Sequence, residues 1–150
     1  MNYLTQSQKH RKTLNNILNT IGNNNVTGEF QGIYNDEFGN IYKLSERSDD
    51  YPDFYLDNST YNKLKRLKKP RAEAYYIVVF KEEAYVFNIN KHKYECHSQF
   101  LNKNTLEKKT KTVKKVREFH KWQRDLLVNF AQIKTTILPV TPKKLTGLFQ

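Results

Sequence analysis

Residues 74–89 read Ala74-Tyr75-Tyr76-Ile77-Val78-Val79-Phe80-Lys81-Glu82-Glu83-Ala84-Tyr85-Val86-Phe87-Asn88-Ile89. The first seven are β-branched or aromatic apart from one alanine, and none is charged. That pattern predicts a strand, Ala74–Phe80, buried on both faces. Lys81-Glu82-Glu83 turns the chain into a second strand, Ala84–Ile89, so the fold centres on a buried hairpin. Helices packed on the sheet are the natural cover for such strands.

Upstream, Pro70 ends whatever element occupies residues 59–69. Asp57-Asn58-Ser59-Thr60 can begin a strand or cap a helix running through Lys69. Leu64 and Leu67 are three apart, which suits the helix, but the stretch is too short to decide. Tyr51–Leu56 reads as a short strand. Residues 28–34 and 40–45 read as a hairpin, because Asn35-Asp36-Glu37-Phe38-Gly39-Asn40 carries turn residues. Thr5-Gln6-Ser7-Gln8 has the form of a capping box. Leu14, Ile17, Leu18 and Ile21 then share a helical face, and Gly22 can end the helix, which gives a helix over 5–21.

Downstream, Val113, Val116, Phe119, Trp122, Leu126, Phe130 and Ile133 predict a long amphipathic helix over 107–134. Pro139 and Pro142 lead into a loose tail, 139–150. The expectation is one α/β (α+β) domain, residues 1–138, with a mixed central sheet of about five strands. An N-terminal helix and a long C-terminal helix flank that sheet.

The 150 residues include ten Tyr and nine Phe, enough aromatic area for one core. No apolar run approaches the roughly 18 residues of a membrane span, and the N-terminus lacks the apolar core of a signal peptide. Cys96 is the single cysteine and cannot form an internal disulfide. These features predict a cytoplasmic protein without membrane attachment. Charge is segregated. Residues 29–57 hold eight acids and two bases, a net of −6, and the remaining 24 bases and 7 acids bring the chain to +11. Such a field attracts polyanions and speeds their encounter, so nucleic acid is the expected partner, with an acidic protein surface as the other candidate.

Tyr51-Pro52-Asp53-Phe54-Tyr55-Leu56 is followed by Tyr61-Asn62-Lys63-Leu64-Lys65-Arg66. Over residues 28–90 the chain resembles the PD-(D/E)xK nuclease superfamily, in which an Asp ends one strand and an acid-x-Lys triplet lies on the next. The resemblance implies that Asp53 is the metal-binding Asp and Lys65 the catalytic Lys, acting with Mg²⁺, a hard cation that polarises the phosphate and activates water. It also implies damage. Lys63 stands where the second acid belongs, and residues 5–21 hold no acid to match the helix Glu of many members. Glu29 and Glu73 are the carboxylates nearest to filling the metal set.

Lys63, Lys65, Arg66, Lys68, Lys69 and Arg71 form the densest cationic run. Lys114, Lys115 and Arg117 add to it from the expected C-terminal helix. Cations of this kind hold phosphates without reading sequence. Tyr75, Tyr76, Tyr85 and Phe87 are candidate stacking platforms, although alternate residues of those strands belong in a core. His92, Cys96 and His97 match no zinc spacing. Three readings follow. The first is a non-catalytic basic binding protein on a nuclease-like scaffold, without a cofactor. It would act on nucleic acid or inhibit a nucleic-acid enzyme such as a host nuclease. A phage or mobile element would suit it, with anti-CRISPR proteins as one class. The second is an active Mg²⁺-dependent endonuclease built on Asp53, Lys65 and Glu29 or Glu73. The third is a plain nucleic-acid-binding module. The oligomeric state stays open; the 107–134 helix or a sheet edge would each support a dimer.

Overall fold

The computed structural model describes residues 5–105 and 108–129, with the backbone alone for 99–105 and 108–113. Helix α1 is Gln6–Thr20. Its capping box forms as the sequence predicts: Gln8 N donates to Thr5 Oγ1 at 3.2 Å, and Thr5 N donates to Gln8 Oε1 at 2.8 Å. Leu14, Ile17, Leu18 and Ile21 are buried together. Gly22, at φ 81°, takes the left-handed conformation that ends the helix.

The expected strand 28–34 is broken in two. Strand β1 (Gly28–Phe30) turns at Gln31-Gly32 into β2 (Ile33–Asn35). Both turn residues have positive φ, 49° and 79°, the geometry of a two-residue primed hairpin turn. Strand β3 (Ile41–Arg47) pairs antiparallel with β2 as expected. The Asn35–Asn40 turn is held by Asp36, which is buried. Its carboxylate accepts from Phe38 N (2.9 Å), Asn40 N (3.0 Å), Asn40 Nδ2 (3.0 Å) and Tyr42 OH (2.9 Å).

Strand β4 (Asp53–Asp57) leads into helix α2 (Asn58–Leu67), which settles the ambiguous element. Tyr61 and Leu64, three apart, are buried, while Lys65 and Arg66 are exposed and Lys63 is half-buried. A strand would have put alternate residues inside; this spacing needs a helix. Strand β5 (Ala74–Phe80) lies where the sequence predicts and runs parallel to β3. Strand β6 (Glu83–Asn88) returns antiparallel to it.

The expected helix over 107–134 is corrected. Residues 108–120 form strand β8 (Lys108–His120), paired antiparallel with β7 (Cys96–Thr105) and with β4. A single 3-10 turn, Lys121–Gln123, then leads into β9 (Leu126–Asn129), which pairs with β6. Val116 and Phe119 suit a helical spacing of three, but on a strand that spacing sends them to opposite faces. The stretch Thr110-Lys111-Thr112-Val113 is rich in β-branched residues, which favour the extended chain. Phe130, Ile133 and the tail 139–150 lie outside the described residues.

The result is α+β with two sheets. One is a mixed six-stranded sheet in the order β1-β2-β3-β5-β6-β9, and the other is three-stranded, β4-β8-β7. Tyr75, Ile77 and Val79 of β5 join the core under α1. Ala74, Tyr76 and Val78 join the core on the opposite face, with Phe54, Tyr61, Leu64, Tyr94 and Phe119. So β5 is buried on both sides, as its composition predicts, and each large apolar side chain buried there contributes about 1.5–3 kcal/mol. The second core is aromatic: the Phe119 ring stacks on Tyr94 at 4.1 Å between centroids and meets Tyr76 edge-on at 4.9 Å. Among the described residues no helix is long and apolar enough to cross a membrane.

Candidate functional site

The three-stranded sheet gathers His97, Asp53, Glu118 and His120 on one face. Strands β4 and β8 pair Asp53 with His120 and Tyr55 with Glu118, so these four residues share one face. Phe54 and Phe119 alternate inward and anchor that arrangement in the aromatic core. His120 Nδ1 lies 2.8 Å from Asp53 Oδ1 and 4.0 Å from Glu118 Oε1. On the other side of Glu118, its Oε2 lies 2.5 Å from His97 Nε2, which also approaches Glu95 Oε2 at 3.3 Å. Glu95 is brought there by a backbone bond, Glu118 N to Glu95 O at 2.9 Å.

Glu118 is the centre of the cluster and its side chain is 13 % exposed, against 28 % for Asp53 and 30 % for His120. The hydrogen bond with Asp53 holds the imidazole of His120 above its ordinary value; burial opposes this, and the charges of Asp53 and Glu118 add to it. Partial burial, then Glu118 and Asp53, push the phenol of Tyr55 up. The exposed indole of Trp122 lies parallel to the His120 ring, 7° between planes and 5.9 Å between centroids. Beside the cluster an open groove of about 360 Å³ is lined by Arg47, Tyr51, Asp53, Tyr55, Asp57 and Lys114.

The residues expected to form a nuclease site do not converge. Asp53 opens β4 rather than ending a strand, and Lys63 and Lys65 stand on α2, not on a strand. Glu29, on β1, accepts from Gly32 N at 3.3 Å; Glu73, before β5, accepts from Asn88 Nδ2 at 3.0 Å. Among the described residues, donor sets of three within 4.8 Å of one another are Asp53, Glu118, His120 and Glu95, His97, Glu118. Neither contains Glu29 or Glu73. Sequence reasoning finds Asp53 and misses Glu118 and His120. Those two fall within the expected helix, where residues two apart face different ways; on a strand they face the same way.

The cationic residues fall into two classes. Arg117 is structural: Nε donates to Asn58 Oδ1 at 2.7 Å, Nη1 donates to Tyr94 O at 2.8 Å, and the guanidinium lies 4.7 Å from the Tyr61 ring centroid. Lys114 is paired with Asp57 at 2.6 Å, and Lys68 donates to Ala72 O at 2.8 Å. By contrast Lys65, Arg66, Lys69, Arg71 and Lys115 are exposed. Lys63 contacts Gln31 and lies over the Phe30 ring at 5.3 Å. Among the described residues, no carboxylate lies within 4 Å of any cation from Lys63 to Arg71. Beyond the pairing with β4, residues 98–105 and 108–115 have no strand partner but each other among the described residues, as a two-stranded ribbon from Ser98↔Lys115 to Thr105↔Lys108. Its sequence holds Lys103, Lys108, Lys109, Lys111, Lys114 and Lys115.

Comparison with protein-family models, with curated proteins and with solved structures gave no match. The class that fold and site define is therefore an α+β protein with a basic helix, a basic ribbon and a separate histidine–carboxylate cluster.

Proposed function

We propose that the protein is a non-catalytic nucleic-acid-binding protein that holds duplex phosphates through the cations of 63–71. The observation that carries this reading is that, among the described residues, those six cations have no carboxylate partner in a chain that holds fifteen acids. Exposed cations at a helix end exchange small counterions for phosphates, and the released ions drive binding. The lysine-rich ribbon supports the same reading, because a two-stranded antiparallel ribbon fits the major groove of B-form DNA.

The test is a native gel of purified protein with duplex DNA across a salt series. The same protein is incubated with supercoiled plasmid in Mg²⁺ or Mn²⁺ and in EDTA. A shift that weakens steeply with salt, without nicking, supports the reading. Metal-dependent nicking removed by Asp53→Ala replaces it with a nuclease. Neither shift nor cutting redirects the search to a protein target, a nucleic-acid enzyme first.

A further inference from the structure

We infer that Asp53, Glu118 and His120 form a site for one divalent transition-metal ion of the zinc type. His97 and Glu95 act as a positioning pair behind Glu118. The site is separate from the phosphate-holding cations and does not depend on the proposed function. One imidazole nitrogen and two carboxylates are ligand types that zinc takes, and His120 Nδ1 stands 2.8 Å from Asp53 Oδ1 and 4.0 Å from Glu118 Oε1, so a small closing movement of Glu118 brings the three donors to one ion. All three residues are partly buried on paired strands, so their backbones are fixed before an ion arrives. Three protein ligands leave a fourth coordination position open, and Asp53 also lines the neighbouring groove.

A second observation separates this cluster from an ordinary ion-pair network. The chain carries 26 lysines and arginines, yet among the described residues none of them lies within 4 Å of Asp53, Glu118 or Glu95. Lys114 and Lys121 sit close by and pair instead with Asp57 and Asp50. Among the described residues, the basic groups that meet the three carboxylates are His97 and His120. A metal ion would replace the proton between Asp53 and His120 and bring a divalent charge to carboxylates that no lysine or arginine neutralises among the described residues.

His97 has a different part. Its Nε2 is 2.5 Å from Glu118 Oε2, the oxygen turned away from His120, and Glu95 Oε2 holds the same nitrogen region at 3.3 Å. A hydrogen bond to the far oxygen of a ligating carboxylate fixes its orientation, and removing such a partner typically costs 10–100-fold in metal affinity. The Trp122 indole lies parallel to the His120 ring, 5.9 Å away between centroids.

The experiment is calorimetric titration of the metal-free full chain with Zn²⁺, with Co²⁺ visible absorption as a second readout and Mg²⁺ as a control. The expected result is one Zn²⁺ per chain and a Co²⁺ ligand-field band, with no competition from Mg²⁺, for which imidazole is a poor ligand. Asp53→Asn and His120→Ala should abolish both signals while circular dichroism shows an intact fold. His97→Ala should keep the stoichiometry and weaken binding about 10–100-fold. The absence of binding, or binding unchanged in His120→Ala and Asp53→Asn, overturns the site. Two ions per chain, or His97→Ala abolishing binding, overturns the positioning role, because His97 would then be a ligand itself.

Discussion

Arg117 of β8 is tied to Asn58 of α2 by a 2.7 Å hydrogen bond from Nε to Oδ1. The same guanidinium donates to Tyr94 O, so one side chain joins the three-stranded sheet, α2 and the segment before β7. Two of its donors are engaged within the fold. Arg117→Ala leaves the Asn58 and Tyr94 acceptors without this donor and uncovers the Tyr61 ring. Urea unfolding should show a loss of about 1.5–3 kcal/mol, the range for a hydrogen bond from a charged group. The salt dependence of DNA binding should not change.

The cations of α2 and the loop after it should behave in the opposite way. Lys65, Arg66 and Arg71 are exposed. Replacing all three with Ala should cost no more than about 1 kcal/mol, most of it from the Lys65 ammonium that lies 4.8 Å from the Tyr61 ring centroid. The slope of log affinity against log salt should fall by about 2.7, roughly 0.9 for each phosphate that is no longer neutralised. A slope equal to wild type would mean that DNA is held elsewhere, with the ribbon the first place to look.

Asp36 is buried and accepts four hydrogen bonds across the β2–β3 turn. Asp36→Ala strands two backbone amides, an amide side chain and the Tyr42 hydroxyl. The expected loss is about 2–4 kcal/mol, read as a shift of the denaturant midpoint, because unsatisfied buried donors carry their full desolvation cost. Asp36→Asn should lose less, since it keeps one acceptor oxygen.

Alkaline pH should unfold the protein cooperatively. Burial pushes the phenols of Tyr42, Tyr75 and Tyr94 well above their ordinary value of 10, with Asp36 adding to the effect on Tyr42. Above pH 10 the unfolded chain releases these protons while the folded chain keeps them. The unfolded state then binds fewer protons, so stability falls as pH rises. Ultraviolet titration of tyrosinate should show these three ionising together with loss of circular dichroism. Ionisation of all three ahead of unfolding would contradict their burial.

Helix α1 and the β5–β6 hairpin are legible in the sequence because local and tertiary demands agree there. The capping box of Thr5 and Gln8 states its own boundary, and the apolar run Ala74–Phe80 has no charged residue with which to face water. Helix α2 is half legible: Leu64 and Leu67 suggest the helical spacing, but Leu67 is exposed and the buried pair is Tyr61 and Leu64, and a ten-residue element gives too few repeats to separate periods. Residues 108–129 mislead for the same reason in reverse. Val116, Phe119 and Trp122 imitate a helical stripe, yet the first two serve opposite faces of β8 and the third lies out in solvent on the turn. That imitation hides the cluster, since Asp53 meets Glu118 and His120 only through strand register, a long-range property no local pattern contains. Arg117 misleads on the same ground, because its tie to Asn58 depends on β8 passing α2.

Strand β9 closes the six-stranded sheet against β6, and Val128 completes the core beneath α1. Between those two strands the chain must first lay down the whole 96–120 hairpin. On the ribosome, therefore, β6 leaves the exit tunnel long before its neighbour does. The nascent chain presents a bare row of amides and carbonyls along β6 and an uncovered patch under α1. An open edge of that kind invites pairing with another chain. Synthesis interrupted before residue 126 would leave that edge of β6 without its partner, the state most open to pairing with another chain.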